Sequence, residues 1–401
     1  MKIRSITYFC NPKYPLEERV LQKAGAFLSE ARSAYEAAGY EVQTVRLATI
    51  PFPNLLGAEN ISKLPELTSQ IDDIAQGLKI GYVSLGPALP EFPQSYEVIP
   101  DAIFVSKNIF FGGIMADRKR GLELKAVRAC ANIIVKCAFI EPNGFANLQF
   151  AALANVEAGA PFLPAAYHDL DIPTFAIATE SADLAVRAFE TAKSLEEGRS
   201  NLVSEIEKHG KQLTEVAKNL HCRFGGIDFS LAPFPDDAHS LGNAVEKMGV
   251  PKVGWHGSLA AAAILTEAID RADFLHTGFS GFMQPILEDS VLAKRAAEGT
   301  LTIKDALLYS AVCGTGLDTI PLPGDTTAEQ LAPLLLDLCA LALRLDKPLT
   351  ARLMPVPNKK AGDETSFDFA FFAPSRIMAL DSEQLTNSLT GTETFHLSSR
   401  K

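Results

Sequence analysis

The chain has 401 residues, with 37 Lys and Arg against 48 Asp and Glu and a formal net charge of −11. That acidic balance, with no window of clustered Lys or Arg, excludes a phosphate-backbone binder, so no nucleic-acid partner is expected. Six cysteines (Cys10, Cys130, Cys137, Cys222, Cys313 and Cys339) are too sparse for a disulfide scaffold and form no Cys-x-x-Cys pair, which points to a reducing, cytoplasmic setting. The N-terminal MKIRSITYF is strand-like rather than leader-like, and no run of about 18 apolar residues occurs, so no membrane partner is expected.

In chain order, residues 3–9 read as a strand and 16–38 as a helix with Leu21, Ala24, Phe27, Leu28, Ala31 and Tyr35 at helical spacing, closed by Gly39. A strand over 41–48 and a helix over 63–78 follow, then the apolar strand IGYVSLG. Prolines 87, 90, 93 and 100 predict an ordered loop over 87–100. AIFVSK (102–107) reads as a strand, Phe111-Gly-Gly as a turn, and about 117–137 as a helix. LQFAALANV is apolar almost throughout, the pattern of a strand covered on both faces in a parallel sheet.

The alternation continues with strand 174–180, helices 182–195 and about 198–220, strand 225–230, and helices near 240–248, 258–270, 289–298 and 302–312. Strands over 351–357 and near 366–371 complete it. Such repetition argues for a mainly parallel sheet in a single domain, 1–378, followed by a polar tail, 379–401, expected to be disordered.

One stretch stands apart: Cys313-Gly-Thr-Gly-Leu-Asp318-Thr-Ile-Pro-Leu-Pro-Gly324-Asp325-Thr326, followed by a Leu-rich helix from near Gln330. Glycines at 314 and 316 allow a shaped loop beside a thiol and before a carboxylate. Thr326 reads as the helix N-cap, with Glu329 reaching back. Cys313 is the candidate nucleophile, although a free cysteine is as readily a small buried hydrophobe. Asp318, Asp325 and Asp228 lie at strand boundaries where ligand sites form and where caps and turns also use aspartate. His256, in Gly-Trp-His-Gly-Ser258, precedes a helix and should be neutral there, either as a proton carrier or packed on Trp255. His168 has Asp169 beside it as an orienting group. Arg352, inside the strand ARLMPVP, needs a carboxylate or an anionic ligand. Glu288 and Asp289 are candidate metal ligands or simply a helix start. No phosphate-loop, dinucleotide, zinc-protease or nucleophile-elbow motif occurs, so no cofactor is assigned.

The segments GIDFSLAPFPDDAHSLGNAVEKMGV, VGWHGSLAAAAILTEAI, GFSGFMQPILEDS, CGTGLDTIPLPGDTTAE and ARLMPVPNKKAGDETSFDFAFFAPS resemble, in that order, the bacterial and archaeal family DUF711 (UPF0210). LQFAALANVEAGAPFLPAAYHD resembles its archaeal-type branch. The resemblance implies a ten-stranded α/β barrel of the pyruvate formate-lyase type, built from mainly parallel half-sheets, with a site in its interior. In radical enzymes of that fold a loop cysteine passes the radical to substrate, and Cys313 is the cysteine in a comparable loop. Their C-terminal glycyl-radical motif has no counterpart here, since Gly391 lies in a polar Thr-Gly-Thr context.

The expectation is an enzyme acting on a small anionic metabolite inside the barrel. Cys313, His256 and Asp318 would do the chemistry, with Arg352, Asp228, His168, Asp325 and Thr326 holding the ligand. The alternative is a non-catalytic ligand-binding or regulatory protein on the same scaffold. A homodimer is expected because most soluble oligomers are two-fold.

Overall fold

A computed structural model describes residues 1–400. Among the described residues, eleven strands form one sheet. They are β1 (Lys2–Cys10), β2 (Val42–Thr49), β3 (Tyr82–Ala88), β4 (Ile109–Asp117), β5 (Gly121–Glu123), β6 (Phe150–Ala154), β7 (Thr174–Glu180), β8 (Arg223–Asp228), β9 (Gly316–Pro323), β10 (Leu349–Val356) and β11 (Thr394–Phe395). The main path runs β8-β7-β1-β2-β3-β4-β6-β10-β9, with β5 paired to β4 and β11 paired to β5.

The sheet is mixed, not mainly parallel. Antiparallel junctions at β7/β1 and β6/β10 separate parallel runs β8-β7, β1-β2-β3-β4-β6 and β10-β9. The apolar pattern could not distinguish these cases, because a strand buried on both faces reads the same whichever way its neighbour runs. β6 and β7 are such strands, buried at every position.

One face of the sheet carries the large core. Ile6 and Tyr8 of β1, Val45 and Leu47 of β2, and Phe175 and Ile177 of β7 meet the apolar faces of helices Glu18–Ala37 and Leu64–Gly77 and their neighbours. The opposite face holds two smaller apolar groups, to which the segment 160–166 contributes Ala160, Phe162, Leu163, Ala165 and Ala166. A buried irregular segment needs partners for its carbonyls. Strand hydroxyls supply them: Thr7 Oγ1 donates to the Pro161 carbonyl at 2.9 Å and Ser84 Oγ to that of Ala166 at 2.7 Å.

Several local expectations change. Residues 99–104 are helical (Ile99–Phe104), with Pro100 in the first turn where its missing N–H costs nothing. β4 instead runs through the glycines expected to turn. A Cβ at Gly112 would meet Leu153 Cδ1 at 2.7 Å and one at Gly113 would meet Cys130 Sγ at 2.7 Å, so these glycines admit neighbouring side chains against a strand. The Pro-rich stretch contains the end of β3 and a short helix, Gln94–Glu97. No strand forms at 366–371, which is an irregular Phe-rich segment. The Leu-rich helix spans Ala328–Leu345, and its capping box is one residue later than expected, on Thr327 and Gln330.

The polar tail lies across the body, where its composition suggested disorder. β11 pairs with β5, Arg128 donates to the Gly391 carbonyl at 2.6 Å, and Arg400 N donates to the Arg344 carbonyl at 2.9 Å. Hydrogen bonds hold it, together with Leu380 and Leu397, which pack half-buried against the large core. No helix among the described residues is long and apolar enough to cross a membrane.

Gly316 opens β9 with φ +96°, and a Cβ there would meet the Thr350 carbonyl oxygen at 2.2 Å. Gly299 also has positive φ, +75°, but nothing within 4 Å of its Cβ position. Gly316→Ala should therefore cost more than about 2 kcal/mol in urea unfolding, while Gly299→Ala costs about 1 kcal/mol. Equal losses would show that the β9/β10 contact is not tight.

Candidate functional site

A cavity of about 410 Å³ opens on the inner face of the sheet and is lined by residues of β1, β2, β3, β4, β6, β9 and β10. Its polar wall is a chain of ion pairs. Arg4 on β1 donates to Glu180 Oε2 at 2.9 Å and to Glu288 Oε2. Arg352 on β10 donates to Glu288 Oε1 at 2.9 Å and to both oxygens of Asp318 on β9, at 2.5 and 2.9 Å. Gln43 on β2 donates to Glu180 Oε2 at 2.5 Å.

Backbone irregularities aim two of these groups. In the β1/β7 ladder Ile3 faces Thr179 while Ser5 faces Ala178, so Arg4 is an extra residue in a β-bulge. In the β10/β9 ladder Ala351 faces Leu317 while Leu353 faces Ile320, which puts the extra residue in β9 at Asp318-Thr319. Thr319 has φ +44°, a costly conformation for a β-branched side chain. Its hydroxyl accepts the Leu287 N–H at 3.2 Å, and the Asp318 carbonyl accepts that of Ile286 at 3.0 Å. The bulge thus fixes the segment that carries Glu288. Bulges and strained residues of this kind concentrate where a side chain must be re-aimed toward a site.

The two carboxyls flanking Arg352 are driven apart in acidity. Burial pushes the Glu288 carboxyl up, but Arg4, Arg352 and then Arg46 outweigh it and hold it below the ordinary glutamate value. Burial pushes Asp318 up as well; Arg352 offsets only part of this and Glu288 adds to it, so Asp318 lies above the ordinary aspartate value. Such divergence is how an acid and an anion come to share a site.

Arg46 on β2 differs from the other two arginines. Its Nε donates to Thr44 Oγ1 at 2.8 Å and its guanidinium lies 5.7 Å from the Tyr82 ring centroid. It has no carboxylate partner among the described residues, yet it is only 9% exposed. Burial first, and then Arg4, push its pKa down to about 9. Tyr82 and Glu288 act in the opposite direction, so at neutral pH it remains a cation facing the cavity, influenced by Glu288 but in no direct ion pair among the described residues.

Of the residues singled out in the sequence, Asp318, Arg352 and Glu288 meet here. The others do not line the cavity. Cys313 is fully buried with Sγ 3.6 Å from Thr315 Oγ1, and it is Thr315 that reaches the cavity wall. His256 is exposed beside Trp255. His168 is buried near Phe9, at 6.2 Å between rings, and burial, opposed by Asp169, lowers its pKa.

Asp228 is buried and accepts the Ser230 hydroxyl at 2.6 Å and the amides of Phe279 and Ser280 at 2.7 and 2.8 Å. Burial still raises it to about 6. Asp289 caps helix Ser290–Ala297 and accepts the Ser240 hydroxyl and the Leu241 amide, both at 2.6 Å. Glu288 and Asp289 therefore have their oxygens committed to guanidinium, hydroxyl and amide donors, and no cluster of three His, Cys, Asp or Glu suited to a metal occurs among the described residues. Asp325 is exposed in a turn and Thr326 is buried, its N–H donating to the Pro323 carbonyl at 3.1 Å.

The sequence reading missed Arg4, Gln43, Arg46 and Glu180. The available signal was polar alternation in strand 42–49, where Thr44 and Arg46 interleave with Val45 and Leu47. A strand buried on both faces does not place an arginine there without a purpose.

A family model described as "Uncharacterised ACR (DUF711)" matches residues 1–375. The chain belongs to the DUF711 family. A UPF0210 protein of Pyrobaculum aerophilum is 32% identical over 393 residues, covering 90% of this chain and 87% of the relative. UPF0210 proteins of Methanocaldococcus jannaschii and Oenococcus oeni are 27% and 26% identical, each covering 88% of this chain and 83% and 82% of their own length. The DUF711 match includes every residue of the cavity's polar wall.

Removing the charge that joins both arginines tests the cluster. Near neutral pH, Glu288→Gln should cost about 3–5 kcal/mol, because two buried guanidiniums lose a partner. Glu288's folded pKa is depressed, so its contribution is fully present above the unfolded value and is lost as pH falls through the folded one. The gap between wild type and Glu288→Gln in chemical denaturation should accordingly close in that acid window. A gap independent of pH would mean that shape, not charge, explains the loss.

Proposed function

We propose that this DUF711 protein is an enzyme that takes a small anionic molecule into the cavity, where Arg46 binds the anion and Asp318 carries a proton. The observation behind this reading is Arg46, an enclosed guanidinium that lacks an ion-pair partner among the described residues. Leaving a charge buried and unpaired is costly, whereas an incoming carboxylate or phosphate would compensate it. Asp318 fits the proton role because its raised pKa brings it closer to neutrality than an ordinary aspartate, which general acid–base catalysis favours. Arg352 and Glu288 orient it. In this reading the chemistry uses a carboxyl group, and Cys313 supports the wall through Thr315.

The same reading treats the sheet as closed into a barrel of the pyruvate formate-lyase type. The segment between β8 and β9 supports closure, since His276 bridges Ile227 at the β8 edge and Pro285 bridges Asp318 at the β9 edge, both in parallel. All six cysteines are free, which supports a reducing compartment.

Thermal melting of the full chain tests the anion site. Acetate and inorganic phosphate, each at millimolar concentration, should raise the wild-type Tm by a few degrees for at least one of them. That rise should vanish in Arg46→Gln, which by itself should cost the fold no more than about 1 kcal/mol, because the arginine is in no direct ion pair and Glu288 keeps Arg4 and Arg352. Asp318→Asn should keep the anion-dependent rise, but lose a carboxylic-acid infrared band that titrates above the ordinary aspartate range. A wild-type Tm indifferent to both anions would sink the proposal.

A further inference from the structure

The charge balance around the cavity narrows the class of ligand, given the anion site proposed above. Three guanidiniums line the cavity (Arg4, Arg46, Arg352) against three carboxyls, of which Glu288 and Asp318 line it and Glu180 lies behind Arg4. Arg4 is shared by Glu180 and Glu288, and Arg352 by Glu288 and Asp318, so Arg46 alone of the three has no direct ion-pair partner among the described residues. With all three carboxyls ionised the six groups sum to zero, and with Asp318 protonated they sum to +1. One added negative charge is thus the most that this wall compensates. A second would fall near Glu288 in surroundings that screen it poorly. At the mouth, Lys107 is already paired with Glu141 at 3.0 Å, and Asp368 adds a further carboxylate.

The geometry of Arg46 agrees. Its Nε is spent on Thr44, its face lies against Tyr82, and Tyr82 is itself fixed edge-on to Phe110 at 5.3 Å. What remains is the pair of Nη groups, the edge that a planar carboxylate meets with two parallel hydrogen bonds. Away from the charges, Phe110, Phe162, Leu163, Phe279 and Met283 line the cavity, and Phe369 and Phe371 approach from the irregular segment near the mouth. A volume of about 410 Å³ walled in this way is far larger than an inorganic anion needs and favours apolar bulk.

We infer that the ligand is a monocarboxylate with an apolar aryl or alkyl body, rather than a phosphorylated compound. Arg46 takes the carboxylate, the aromatic wall takes the body, and Asp318 faces a hydroxyl or carbonyl group on it.

Isothermal titration calorimetry of the full chain near neutral pH, with 3-phenylpropanoate, phenyl phosphate, acetate and inorganic phosphate as probes, tests the inference. The expected result is saturable binding of 3-phenylpropanoate at least about tenfold tighter than that of the other three, abolished in Arg46→Gln and weakened by Met283→Asp, with both variants melting cooperatively. Tighter binding of phenyl phosphate, lost in Arg46→Gln, would overturn the monocarboxylate assignment and leave the anion site standing. Equal affinity for acetate and 3-phenylpropanoate would overturn the apolar body. Binding of none of the four would remove the anion site and this inference together.

Discussion

Glu288 touches Arg4 of β1 with one oxygen and Arg352 of β10 with the other. In the sheet these strands are separated by β2, β3, β4 and β6, five inter-strand steps apart. At about 4.8 Å per step a flat sheet would set them roughly 24 Å apart, with side chains standing off the sheet rather than lying along it. One carboxylate reaches both only because the sheet curls around the space where it sits. The contact therefore constrains the curvature, and the curvature makes the cavity.

The cost of that contact explains its composition. Buried ions are stable only when each finds counter-charge and hydrogen bonds in good geometry. Arg4, Arg352, Glu180, Glu288 and Asp318 find counter-charge by sharing, each guanidinium between two carboxyls, although Glu180 Oε1 is left without a hydrogen-bond partner. A pair alone would satisfy the same charges with fewer strands involved; the shared chain ties β1, β7, β9 and β10 to one another. Arg46, a few ångströms along the same wall from Thr44, is left outside the chain, and its isolation acquires meaning from the care with which its neighbours are paired.

Helix and strand positions were largely legible because the periodicities of 3.6 and 2 are local. Leu21, Phe27, Leu28 and Tyr35 mark the helix Glu18–Ala37 as clearly in the string as in space. The failures were local as well. Gly112 and Gly113 looked like a turn because nothing in the string says that Leu153 and Cys130 will press against them. The mixed strand order was illegible because apolar runs carry no direction. At the site, Asp318, Arg352 and Glu288 could be singled out, since charge inside an apolar strand or beside a shaped loop is conspicuous. Asp318 and Arg352 were expected to share the interior, but that Glu288 joins them was not, because it depends on two register shifts and a curl that no pairwise spacing encodes. Arg4 was hidden for the same reason: only as the extra residue of a bulge does it turn inward beside Ser5.

The contrast between Cys313 and Asp318 shows what the loop Cys313–Asp318 is shaped to do. Gly316 brings the chain against the Thr350 carbonyl, and two residues on β9 carries Asp318 into the cavity wall while Leu317, Ile320 and Leu322 join the large core. The thiol, three residues earlier, is packed beneath Thr315, where a substrate has no approach. The carboxyl, two residues later, stands at a bulge whose strained Thr319 fixes the backbone on both sides. A nucleophile needs access, and burial denies it; a proton carrier needs a pKa moved toward neutrality, and burial supplies it. The same burial that closes the loop around sulfur raises the Asp318 carboxyl five residues on, and the proton-carrier reading proposed above rests on that difference in access and acidity.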